Sequence, residues 1–241
     1  MSPCRCLPLL TCLLVSAVGS HTASAFGLTD LREMLGGGGE TEGLSQDQAA
    51  AGLREALRQG AEVAVARLGT AGGFVDNPEV RIPPPGPLAS MESGLRGIGL
   101  GSVADDFSLA MNRAAEQAVA VALPVLGEAV ENMTLSDAVQ IARGSEHAAT
   151  DYLRATSAAQ IQSRMLPLVS EATARTGVTG HYKKLTDRAG PLLSAQVPDL
   201  DRYVTEQAVG GLFHVIAQEE QRIRQNPAAR TTELLRRVFS R

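Results

Sequence analysis

The residues with the clearest chemical potential lie between positions 105 and 116. Asp105 and Asp106 are adjacent, and Arg113 follows Asp106 by one heptad, which places the two on one face of a helix. Two carboxylates sharing a pocket can serve in proton transfer or hold a cation. Asn112 and Glu116 extend this polar group, so a hydrolase-like enzyme built on Asp105, Asp106 and Arg113 is one reading of it. The same residues also have a plain structural reading. Acids in a first helical turn complement the helix dipole, and Asn112, Arg113 and Glu116 can form an ordinary polar face.

Other chemistries find less support. His147, His181 and His214 fall in separate predicted helices; His147 and Asp151 have the spacing of two ligands on one helical face, but no His-Glu-x-x-His pattern accompanies them, and no metal site is expected. There is no G-x-S-x-G elbow for a nucleophilic serine, and the glycines at 72, 73, 97, 99 and 101 do not form a phosphate loop. No cofactor is expected. His181-Tyr182-Lys183-Lys184 is a small basic patch, read as a solvated helix face that an anionic headgroup or polymer could use.

A second candidate is a strip, not a cluster. Asn77-Pro78-Glu79-Val80-Arg81-Ile82-Pro83 leads into Pro84-Pro85-Gly86-Pro87, where missing N–H donors and restricted backbone angles forbid helix and favour a stiff extended course. Such a strip loses little entropy on docking, which makes Arg81, Ile82 and Pro83 candidate binding residues. The commoner use of such a segment is as a connector pinned across its own bundle.

Composition narrows the classes. The 241 residues carry 22 basic and 26 acidic side chains, a net charge of −4, with 44% hydrophobic and only 3% aromatic residues. That is ordinary globular composition, without the cationic surface and stacking rings of a nucleic-acid binder. The first 25 residues read as an export signal, with Arg5 followed by an apolar run from Leu7 to Val18 and then Ala23-Ser24-Ala25, predicting cleavage after Ala25 and periplasmic localisation. All three cysteines, Cys4, Cys6 and Cys12, lie within it, so the mature chain is expected to be thiol-free. The run is short of the roughly 20 residues of a membrane span, and no later segment does better, so no transmembrane segment is expected in the mature chain.

The elements that must position these residues are helices. Residues 26–44 hold a short helical stretch and Gly36-Gly37-Gly38-Gly39, a flexible linker composition, so the folded domain is expected over 45–241. Leu53, Leu57, Ala61, Ala64 and Leu68 mark a first amphipathic helix ending at Gly69, and a short helix is expected from Leu88 to Arg96. Phe107, Met111, Ala114, Ala118, Val121 and Val125 mark one buried stripe on a helix that Pro124 should kink near its end. Thr134 with Asp137 caps a shorter helix ending near Gly144. One helix is predicted from Glu146 to Ala155 and another opening at Ser157, with Ile161, Met165, Leu168 and Ala172 inside and Pro167 within it. Leu123-Pro124-Val125-Leu126 and Leu166-Pro167-Leu168-Val169 align as either a faint duplication or a chance match. A further short helix over Val178 to Ala189 precedes a long one, capped by Pro198-Asp199, with Val209, Leu212, Ile216 and Ile223 on one face. Ala228 to Phe239 ends the chain as another helix. With no alternating β-branched run, the fold class is all-α: a single multi-helix bundle with proline-kinked long helices.

Several ordered motifs carry a resemblance to a family. They are Gly52-Leu53-Arg54-Glu55-Ala56-Leu57-Arg58-Gln59-Gly60 leading to Gly72-Gly73-Phe74, the Asn77 to Pro83 strip, Asp105-Asp106-Phe107 with Met111 to Glu116, Asp199 to Thr205, and Asn226 to Thr232. The chain resembles the exported helical bacterial family catalogued as domain of unknown function 4197 from roughly Ser45 to Phe239, departing from it at Pro84, where such proteins often carry a bulky apolar residue. The resemblance implies a helical, exported protein and supplies no activity. The function expected is therefore that of a non-catalytic envelope protein binding a protein partner or an apolar molecule between its helices, with the hydrolase-like enzyme as the alternative.

Overall fold

A computed structural model describes residues 46–86, 89, 96–97, 101–177, 180 and 199–225. Among them are six α-helices and no strand: α1 Gln46–Leu68, α2 Gly101–Ala118, α3 Ala122–Glu131, α4 Leu135–Arg143, α5 Ala148–Arg175 and α6 Leu200–Gln225, with a 3-10 turn, Val119–Val121, joining α2 to α3. The all-α bundle is thus as the sequence predicts. The expected helices over 88–96, 178–189 and 228–239, the basic patch at 181–184, and the leader and linker lie outside the described residues, save the single positions 89, 96 and 180.

Helix α1 buries Leu53, Leu57, Ala61, Ala64 and Leu68 in one stripe and leaves Arg58 on the open face between Glu55 and Glu62, at 2.9 and 2.8 Å. It packs against α6, α3 and α4, while α5 packs against α6, α2 and α3, so α6 and α3 each touch both long outer helices. One hydrophobic core runs through all six helices and the connector, with Phe74, Met111, Leu126, Ile161, Met165, Leu212 and Phe213 fully buried.

The stripe predicted from Phe107 to Val125 is present, but the helix does not simply kink at Pro124. It breaks before it, and Pro124 sits in the first turn of α3 after the 3-10 turn. Lacking an N–H, proline is at home in a helix's first turn. Pro167, by contrast, lies deep inside α5. The two aligned proline segments therefore occupy different structural positions.

The break predicted near Ser157 is absent, and 148–175 is one helix. Ser157 is buried and donates its hydroxyl to the Leu153 carbonyl one turn back, which satisfies it without a cap. Thr134 and Asp137 form the predicted capping box on α4, and the Asp199 side chain accepts the Arg202 N–H at the start of α6. The start of α5 is capped from afar. The Glu220 carboxylate of α6 accepts the N–H groups of Ala149 and Thr150 at 3.1 and 2.9 Å and the Thr150 hydroxyl at 2.7 Å, filling helix donors that have no partner within their own helix.

Candidate functional site

The connector after α1 begins with a tight turn. Gly69 closes α1 by donating to the Val65 carbonyl. Gly72 then adopts φ +91°, a left-handed geometry suited to glycine, and a Cβ on Gly73 would stand 2.4 Å from the Leu68 carbonyl oxygen. This turn drives Phe74 fully into the core. Asn77 starts a second turn, its carbonyl accepting from Val80 and Arg81 at 3.2 and 2.8 Å and its side chain accepting from Glu79. From there the chain alternates: Val80 and Ile82 point inward, while Arg81 and Pro83 are exposed.

Helix α2 fastens this connector with a seam of three polar side chains one turn apart, Ser108, Asn112 and Glu116, all buried. Glu116 Oε1 accepts the backbone N–H groups of Gly72, Phe74 and Val75 at 3.1, 3.1 and 3.2 Å. Its Oε2 faces the Arg113 guanidinium at 2.8 Å. Asn112 pairs with both backbone groups of Ile82, accepting its N–H at 2.8 Å and donating to its carbonyl at 3.0 Å, and also donates to the Ser108 carbonyl. Ser108 Oγ accepts a long bond from Arg81 at 3.4 Å. From α6, the Tyr203 hydroxyl donates to the Pro83 carbonyl at 2.9 Å, and burial pushes that hydroxyl above the ordinary tyrosine range.

The predicted site residues are therefore only partly brought together. Asn112 meets Ile82, Glu116 meets the turn before it and Arg113 meets Glu116, with Arg81 and Pro83 on the outer side of the same strip. Asp105 is not with them; it is exposed and paired with Arg96. Asp106 is exposed as well. The two aspartates and Arg113 do not converge on one pocket, because Arg113 is turned toward Glu116. Of the histidines, His147 lies beside Glu146 and His214 beside Gln218, and among the described residues no cluster of three His, Cys, Asp or Glu side chains could hold a metal ion. A pocket between α1, α5 and α6, walled by Leu53, Leu57, Ile216 and Ile223, has a volume of about 20 Å³, space for roughly one water molecule.

Sequence reasoning missed Tyr203 and Glu220. Tyr203 acts on a residue far away in the chain, and nothing in local spacing reveals that. Glu220 did carry a signal. It stands one turn after Ile216 and one before Ile223, on the buried stripe itself, where a carboxylate needs partners. Arg224 supplies one of them, at 2.8 Å.

These observations define a helical bundle in which a buried polar seam on α2 holds the connector between α1 and α2. The chain belongs to the family described as Protein of unknown function (DUF4197), which matches residues 43–240. Neither a curated protein nor a solved structure matches it.

Proposed function

We propose that this is an exported, non-catalytic binding protein of the cell envelope, and that it meets a protein partner through the connector strip from Arg81 to Gly86. The observation that carries this reading is that the strip is anchored from within while part of it stays open to solvent. Its inward residues are anchored in the core and its backbone polar groups at Ile82 and Pro83 are already bonded, while Arg81, Pro83 and Gly86 are exposed. A surface held in this way is preorganised, so little ordering entropy is lost on docking.

The other occupant considered, an apolar small molecule between the helices, is less well supported. Its expected home is a sizeable apolar cavity, and the pocket between α1, α5 and α6 is water-sized. Export rests on the Arg5 to Ala25 leader pattern.

The test is site-specific photocrosslinking in the native cell. A crosslinker at Pro83 should give a discrete protein adduct that is missing when the crosslinker stands at Gln160, an exposed position of α5. The recovered chain should begin at Phe26 and fractionate with the periplasm. Equal adducts from both positions would remove the strip as the partner surface, and an intact N-terminus in the cytosol would remove the export claim.

A further inference from the structure

The turn at Gly72–Val75 has the construction of a receptor for a carboxylate group. Three backbone N–H groups, from Gly72, Phe74 and Val75, aim at a single oxygen, and a guanidinium stands at the second oxygen of the same group. The left-handed conformation of Gly72 turns neighbouring amides toward one side, the arrangement by which backbone forms an anion-binding concavity. The bound group, the Glu116 carboxylate, is only 4% exposed, whereas Arg113 is 41% exposed, so the cationic wall of the receptor reaches solvent. The Asp76 carboxylate lies against Gly72, in the space that a Cβ on that glycine would take.

We infer that this turn is an oxyanion-binding site in its own right, that its resident ligand is the chain's own Glu116 side chain, and that it takes up a small free monocarboxylate once that side chain is shortened. The recognised group is a planar carboxylate, with one oxygen against the three amides and the other against Arg113. Bonds from ionised acceptors to backbone donors are stronger than neutral ones, so this occupancy reinforces the turn's own backbone bonds and the burial of Phe74. The inference is independent of the partner proposed above, because it concerns what fills the turn and not what meets the strip.

The experiment uses the full chain carrying Glu116→Ala. Its thermal midpoint should fall below that of the unaltered protein. Added sodium formate should raise it in a saturable manner, beyond sodium chloride at the same ionic strength, as expected for a ligand that binds only the folded state. The unaltered protein, whose site is filled, should respond equally to the two salts. A formate response no larger than the chloride response in E116A would overturn the inference, as would an equal formate-specific response in the unaltered protein. If E116A does not fold, Glu116→Gln gives the second measurement. Amide exchange at Gly72, Phe74 and Val75 should quicken by about tenfold or more, the loss expected when a charged acceptor becomes neutral; unchanged exchange at those three amides would equally overturn it.

Discussion

Asn112 is almost wholly buried, and it spends both ends of its carboxamide on the backbone of Ile82. Removing it leaves a buried N–H and a buried carbonyl without partners, each costing about 1–3 kcal/mol. Asn112→Ala should therefore lower stability in urea by about 2–4 kcal/mol, whereas Asp106→Asn, at an exposed neighbour, should shift it by no more than about 0.5 kcal/mol. Equal midpoints for the two variants would show that the connector is not held this way. Tyr203 makes a different prediction, about pH. Its hydroxyl is held above the ordinary value of 10.0 by burial, so the fold favours the neutral phenol. The stabilisation is fully present below pH 10.0 and is lost as pH rises through the higher folded value. Stability measured from pH 9 upward should fall more steeply in the unaltered protein than in Tyr203→Phe, which has no proton to lose there. At this scale the sequence was half legible. It singled out Asn112, Arg113 and Glu116 because they are polar residues crowded on one helix, but their role depended on acceptors meeting amides of a distant turn, which local spacing does not encode.

The helices were more legible, since a stripe of apolar residues every three or four positions reports directly which face is buried. Where the reading of α5 failed, the signal was nonetheless present. Leu153, Ser157, Ile161, Met165 and Val169 are all buried and follow one another at every fourth residue, so the buried row passes through Ser157 without a gap, and Pro167 interrupts only a bond on the outer side. Ser163, the residue one turn before that proline, is exposed, leaving its carbonyl open to water. Helix α6 offers a sharper test of packing against propensity. Gly210 and Gly211 are neighbours in its middle, yet a Cβ on Gly210 meets nothing within 4 Å, while one on Gly211 would come within 3.1 Å of both Phe74 and Val80. Gly210→Ala should stabilise by about 0.5–1 kcal/mol through helix propensity alone. Gly211→Ala should destabilise by about 1 kcal/mol, because Phe74 and Val80 are themselves locked in the core and overpacking outweighs the propensity gain. Paired denaturation curves decide it, and a stabilised Gly211→Ala would mean that the connector yields to the helix.

For the molecule as a whole, one core joins the six helices and the connector, so no helix has an apolar centre of its own to fall back on. Unfolding of the described bundle should be a single transition. Far-ultraviolet circular dichroism and the tyrosine fluorescence, to which the partly buried Tyr152 and Tyr203 contribute, should give coincident curves in urea, and separated midpoints would count against a shared core. The all-α class was legible because alternation of strand type is missing from the sequence. The course of the connector was not, because whether an extended segment faces solvent or crosses its own bundle is settled by partners on other elements. The seam on α2 has one more consequence. Ser108, Asn112 and Glu116 stand every fourth residue, a row that winds obliquely around a helix with 3.6 residues per turn. The helix thus works as a ruler with three marks. Adding or deleting one residue between Asn112 and Glu116 would rotate one fastening about 100° from the other, so this stretch of helix is fixed in length to the single residue.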